Sequence, residues 1–537
     1  VLSLIQEDLK YRNRALLLVV LVTVYHLMII GTIGPGDNEA YYWTWSQHLD
    51  WSYYDHPPAV AWMIALTTAV GGDSPFFLRV GTAFLFVVSC LFIYLLAVEM
   101  TGSRKTAFFS LLVANLIPLY FLVGILTVPD APLTAFWLFY LFLLYRVRRG
   151  VLWTHWLLMG AVLGLALLSK YFAVLLVPST FLFLASDPQL KRFLKTPFPY
   201  LTVAFSAVVA SPILFWNIRE DWSSFVFHLK TRHEQGFSLG NTLDLFVGQI
   251  GVVTPLLLFL LFVTLCVLFK RGFKADGRVQ ERFIVMTSAP TLLFFYVVMC
   301  LTEEAEPHWP GLGYLPLLIG VAWLYAEIQK KKAPLWEKDE RGRGRHLPLL
   351  KKMIRSPSAL KALIGVSLGF PFLLLLAVNI QLFYPIYRPA FSAIALENSK
   401  TGWEVSQYDP TNDLFGWDEV AERVGEIMRE MEIEGSTPFV FCSHYNPASQ
   451  LSFALKDPHN VYCLSEATDQ FDFWQDIGKL DGKDAIFVMT SRYYLPPFQE
   501  YIFDSIEGPE TIETYRAGNY KVRETYIYRC YNFKGEE

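Results

Sequence analysis

The sequence predicts a polytopic α-helical membrane domain followed by a small C-terminal α/β domain, and three observations lead there. Hydrophobic residues make up 53% of the chain and charged residues only 18%, with a mean hydropathy of +0.34, which is too apolar for a soluble protein. Long apolar runs recur up to residue 383, separated by basic clusters. After that point the chain turns polar, and only short apolar stretches interrupt it.

The first apolar run, Ala15 to Ile33, follows Lys10, Arg12 and Arg14. No small-x-small cleavage pattern comes after it, so it is expected as a retained span with its basic end cytoplasmic. Further runs lie near 76–98, 106–126, 131–145, 152–185, 198–216, 244–269, 283–301, 310–328 and 360–383. The clusters Arg104/Lys105, Arg146/Arg148/Arg149, Lys191/Arg192/Lys195, Lys270/Arg271/Lys274 and Lys330 to Arg355 should all be cytoplasmic by the positive-inside rule. Basic clusters flank 152–185 on both sides, so that run crosses an even number of times. Two short helices turning near Ser169–Lys170 satisfy this, for about eleven spans in all. Residues 1–383 are then the membrane domain, with outside loops at 34–75 and 217–243, and 384–537 an outside domain.

In that tail, "WDEVAERVGEIMREM" reads as a helix, and "PFVFCS" and "DAIFVMT" as strands, a mixture that argues α/β. Cys442, Cys463 and Cys530 would permit one disulfide outside the cell, with the pairing open; Cys90, Cys266 and Cys300 lie in apolar runs as small core residues.

Unusual residues collect on the outside face. The first loop opens with "GDNEAYYWTW" and holds Asp37, Glu39, His48, Asp50, Asp55, His56 and Asp73 with no Lys or Arg. Asp37, Tyr41, Trp45 and His48 fit one helix face, which suits an interfacial helix whose Trp43 and Trp45 sit at headgroup depth. Asp130 is the sole charge between two apolar runs and suits either a helix cap or a site carboxylate. Lys170 in "GLALLSKYFAVLL" either snorkels to the headgroups or serves a function. Arg79 suits either structural pairing or ligand binding. The loop 217–243 carries Arg219, His228, Lys230, Arg232 and His233, and such basic groups suit an anionic ligand such as a lipid phosphate. "EEAEPHWPGLGY" adds Glu303, Glu304, Glu306 and His308.

The net charge of −4 gives no reason to expect a nucleic-acid partner. A Walker loop, a dinucleotide fingerprint, HExxH and CxxC are all missing, so the energy for any reaction comes with the substrate.

In their order, "GDNEAYYWTWSQHL", "YYDHPP", "TVPDAPLTAFW", "GLALLSKY", "WNIREDWSSFVFHLKTRH", "EPHWPGLGYLPL" and the tail segments "YNPASQLSFAL" and "DQFDFW" resemble the GT-C glycosyltransferases. The resemblance is to the protein O-mannosyltransferase and lipid A aminoarabinose transferase superfamily, in its bacterial branch. It implies a polyprenyl-phosphate sugar as donor and an inverting transfer to lipid A or lipopolysaccharide core, on the periplasmic side of the bacterial inner membrane. It implies Asp37 as general base and Asp130 as a second acid at the sugar. Lys170 and Arg232, with Arg79 and His56, fall at positions for the donor phosphate. Asp55 and His56 stand where the aminoarabinose transferases carry a Glu-Lys pair. Glu39, Tyr41, Tyr42 and His308 are expected around the substrate, and Asp55 with His233 would serve a divalent metal. A monomer is expected. The alternatives are a protein O-mannosyltransferase-like enzyme or, in another class, a transporter with a soluble sensor domain.

Overall fold

The computed structural model describes residues 2–230, 239–301, 306–331, 357–390, 392, 405–499 and 501–536. Helices come first: α1 Leu2–Ile29, α2 Asp37–Gln47, α3 Ala59–Gly71, α4 Pro75–Thr101, α5 Arg104–Leu116, α6 Pro118–Val123, α7 Asp130–Arg146, α8 Trp153–Ser169 and α9 Leu176–Ser186. They continue as α10 Phe198–Val209, α11 Ser211–Arg219, α12 Ser223–Leu229, α13 Leu239–Val253, α14 Pro255–Gly272, α15 Val279–Met299, α16 Gly311–Lys331 and α17 Pro357–Phe383. The tail interleaves α18 Trp417–Ile433 and α19 Tyr445–Leu455 with β1 Phe439–Cys442, β2 Val461–Cys463, β3 Ala485–Thr490, β4 Tyr501–Arg516 and β5 Tyr520–Glu536.

Among the described residues, six helices are long and apolar enough to cross a membrane: Gln6–Ile29, Pro75–Thr101, Pro255–Gly272, Val279–Val298, Gly311–Gln329 and Gly365–Phe383. A seventh arises if α10 and α11, bent by 47°, form one broken span. The chain is a multi-pass membrane protein. Several apolar runs are broken, so the helices that meet this standard are fewer than the runs suggest. Pro118 separates α5 from α6, and Pro255 follows the break between α13 and α14 at Thr254. The 13-residue α5 rises only about 20 Å, short of a hydrocarbon core of about 30 Å. The run 152–185 breaks where parity demands, since α8 ends at Ser169 and Lys170 is extended (φ −161°, ψ 140°).

The chain forms two compact units: Val1–His26, Thr82–Ile125 and Pro129–Leu375 in one, and Leu27–Gly81, Leu126–Val128 and Leu376–Glu537 in the other. Hydropathy alone places a boundary at 383/384; the first loop instead belongs with the tail, because its aromatic residues need a core. The helical unit is built around Trp137 of α7, Trp156 of α8, Leu261 of α14, Phe283 of α15 and Leu318 of α16.

The second unit is centred on a mixed sheet of order β2-β1-β3-β5-β4, parallel across β2-β1-β3 and antiparallel across β3-β5-β4. Side chains alternate along a strand, so β1 and β3 divide their residues between two cores. Phe439, Phe441 and Phe487 face one core; Val440, Ile486 and Val488 face the other. Over this second face lies α18, whose Trp417, Val420, Ala421, Val424, Ile427 and Met431 form an apolar stripe at helical spacing. The aromatics of α2 join the same core, with Trp43 1% and Trp45 0% exposed. The interfacial reading of α2 is therefore corrected: its tryptophans are interior residues, and α2 packs against α19. The expected room for a disulfide is corrected too, since all six cysteines are free thiols, with Cys442, Cys463 and Cys530 buried in the sheet.

Candidate active site

The extended Gly36 leads into α2, whose first residues include two acids with different fates. Glu39 folds back to accept the Gly36 amide at 2.9 Å, closing the first helical turn. Its carboxylate also accepts Arg79 Nε at 2.8 Å and Nη2 at 2.6 Å, and the Thr127 amide at 2.8 Å. Arg79 spends its remaining donors on the carbonyls of Ile30, Ile33 and Gly34. Both side chains are at most 2% exposed. All five guanidinium N–H groups are used. The expectation of Arg79 as a phosphate ligand and Glu39 as a substrate contact is corrected: together they form a buried strut fixing the start of α2.

Asp37 is only partly buried. Its Oδ1 accepts Gln450 Nε2 of α19 at 2.9 Å, and the same nitrogen lies 3.0 Å from the Pro35 carbonyl and 3.2 Å from that of Asp413. The Asp413 carboxylate is held by Arg492 Nη1 at 3.0 and 3.2 Å. Arg523 lies 4.0 Å over the Trp417 ring and donates to the carbonyls of Asn412 and Phe415. Burial pushes the Asp37 carboxyl up to about 6, and the charge of Asp413 adds to the rise. The Gln450 hydrogen bond and the charges of Arg523 and Arg492 pull the other way. Burial raises Asp413 as well.

Tyr41 and Tyr42 were expected at the substrate, yet both are interior. The Tyr41 hydroxyl donates to Asp55 Oδ2 at 2.8 Å and accepts the Gln470 amide at 2.7 Å. Tyr42 packs edge-on against Trp45, with the His56 ring centroid 6.1 Å away. Their positions make them packing residues of the α/β unit, and His56 is partly buried beside them.

In the helical unit, three other expected residues meet. Asp130 opens α7 without a side-chain capping bond, and Lys170 follows the end of α8, its side chain buried at 6% exposure. Lys170 Nζ lies 2.7 Å from Asp130 Oδ2 and 3.3 Å from His308 Nε2, and that nitrogen is 3.5 Å from Asp130 Oδ2. Phe172 places its ring 5.4 Å from the ammonium. The cap and snorkel readings give way to a buried ion pair with a half-buried histidine at its side.

Arg232, His233, Glu303 and Glu304 lie outside the described residues. Among the described residues, no group of three His, Cys, Asp or Glu side chains is placed to hold a metal. Asp55 is engaged by Tyr41. The residues described do not by themselves make up a metal site of three or four ligands.

Sequence reasoning missed Gln450, Asp413, Arg492 and Arg523. "YNPASQLSFAL" contained Gln450, but nothing in it marks a partner 413 positions away.

The fold aligns with the crystal structure of ArnT from Cupriavidus metallidurans in the apo state, over 96% of this chain and 97% of that one, at a TM-score of 0.57 and 15% identity. The fold is that of ArnT. A second ArnT structure, bound to undecaprenyl phosphate, matches this chain at a TM-score of 0.56 over the same shares, again at 15% identity. Residues 55–216 match the family described as dolichyl-phosphate-mannose-protein mannosyltransferase. The lipid A galacturonosyltransferase RgtD of Rhizobium johnstonii is 29% identical over 295 residues, which is 53% of this chain and 60% of that protein. The undecaprenyl phosphate-alpha-4-amino-4-deoxy-L-arabinose arabinosyl transferase of Pseudomonas savastanoi pv. phaseolicola is 26% identical over 443 residues, 76% of this chain and 74% of that protein. Several other arabinosyl transferases match over about a quarter to a third of their length, as in Erwinia tasmaniensis at 31% over 25%.

Proposed function

We propose that the protein is an inverting glycosyltransferase that moves a sugar from a polyprenyl-phosphate donor to an envelope glycolipid, lipid A or lipopolysaccharide core. The observation that carries this reading is Asp37, a carboxylate anchored through one oxygen and raised toward neutrality. A general base works best when its proton affinity lies near the working pH. In the proposed step an acceptor hydroxyl gives its proton to Asp37 as its oxygen bonds to the anomeric carbon. The bond from that carbon to the phosphate oxygen breaks, and polyprenyl phosphate leaves. Lys170, oriented by Asp130 with His308 alongside, takes the phosphate charge as it develops. Arg232 is assigned as a second phosphate ligand, and Asp130 as the second acid at the sugar. Asp55 with His233 stays a proposed metal pair to which no step is assigned.

The name of RgtD supports a lipid A acceptor, and the name of the arabinosyl transferase and the undecaprenyl phosphate in the ArnT structure support the donor class. We place the reaction on the periplasmic face of the bacterial inner membrane, carried out by a monomer. Purified protein given polyprenyl-phosphate sugar should yield a product of inverted anomeric configuration by NMR; retention contradicts the single displacement. Mass spectrometry of lipid A and core saccharides from cells with and without the protein should show one sugar lost. The family description matched by residues 55–216 favours a protein acceptor as the second reading, and an unchanged glycolipid profile would select it.

A further inference from the structure

Asp37 does not rely on its own loop for its orientation. Gln450 is fully buried, and its Nε2 faces three oxygens: Asp37 Oδ1, the Pro35 carbonyl and the Asp413 carbonyl. Three acceptors around one nitrogen fix the amide's orientation, because a flipped amide would set its own oxygen against all three. Asp37 Oδ2 accepts no hydrogen bond among the described residues, so one oxygen is anchored and the other is left for a proton. The carbonyl and the carboxylate of Asp413 are both tied down, the first by Gln450 and the second by Arg492. The other ionisable groups facing Asp37 are Arg523 of β5, Tyr445, and Tyr493, whose hydroxyl accepts Asn446 Nδ2.

We propose that Gln450 and Asp413, the latter clamped by Arg492, are positioning residues for Asp37. This rests on the reading of Asp37 as the base. Neither residue touches the reacting atoms. Gln450 donates to the ionised carboxylate and so favours its charged form; Asp413 places a like charge beside it and favours the protonated form. Removing one or the other must therefore move Asp37 in opposite directions.

The test is the pH profile of kcat/KM for sugar transfer by the full-length protein in detergent, with one donor and one acceptor throughout so that substrate titrations cancel. Gln450→Met should shift the acid limb to higher pH, and Asp413→Asn should shift it to lower pH, each on the order of one unit. Gln450→Met should lower kcat more than it raises KM. Asp413→Asn keeps the carbonyl that Gln450 binds, so it carries the test alone if Gln450→Met fails to fold by thermal melting. Acid limbs that stay at the wild-type position in the folded variants, whatever the loss of rate, overturn the proposal. Asp37→Asn separates the two ideas: full transfer by that variant sinks the base assignment, whereas its inactivity beside unmoved limbs sinks only the positioning role.

Discussion

Asp37 and Glu39 leave the same turn of one helix two residues apart, and their surroundings are opposite. Glu39 is 2% exposed and meets a guanidinium and two backbone amides. Asp37 meets one amide side chain and a second carboxylate nearby, and it lies partly open. The first arrangement satisfies a charge and locks the chain. The second leaves a charge poorly satisfied, which suits a group that must take up a proton. The Asp130–Lys170 pair is intermediate, a tightly paired charge flanked by a half-buried histidine.

This contrast can be broken most forcefully at the strut. Glu39→Gln leaves the Arg79 charge buried without its partner and should cost about 3–5 kcal/mol of stability in denaturant or thermal unfolding. A loss under about 1 kcal/mol would mean that the pair does not hold the loop. Lys170→Met keeps the length of the side chain but removes its charge, and should lower transfer about 10²–10³-fold in protein that still melts normally, which is about 2.7–4 kcal/mol. If Lys170 only solvates Asp130, the rate will stay within a few-fold of wild type.

Two smaller effects sharpen the comparison. The folded state raises Asp37 from 3.8 to about 6, so it binds the proton more tightly than the unfolded chain does. Its contribution to stability is greatest below 3.8 and is lost as pH rises through about 6. Asp37→Asn should therefore stabilise the protein at pH 7.5, on the order of 1–3 kcal/mol, and by less at pH 5. The same acid-to-amide change at Glu39 has the opposite sign. Tyr41→Phe removes the hydroxyl bridging Asp55 and Gln470 and should cost about 1 kcal/mol in melting while leaving KM unchanged. A raised KM would return Tyr41 to the substrate.

How much of this was legible in the sequence depended on the kind of signal. Lys170 and Asp130 are lone charges in apolar runs, where an unpaired charge is costly, so both stood out, though not as partners of each other. Periodicity exposed α18, and apolar runs exposed β1 and β3. The β4–β5 hairpin escaped because β4 is largely exposed and is interrupted by a bulge at Glu507/Glu510 beside Gly508–Pro509. Composition showed that Glu39 and Arg79 were unusual, but it could not show that they saturate each other. Gln450, Asp413, Arg492 and Arg523 look ordinary in a polar tail. Only folding brings them to a carboxylate hundreds of residues earlier.

The central claim, that Asp37 is the base, is tested most directly by sugar transfer with Asp37→Asn. An amide there accepts no proton, so transfer should fall at least about 10²-fold while melting temperature holds or rises. Transfer at the wild-type rate by this folded variant would contradict it.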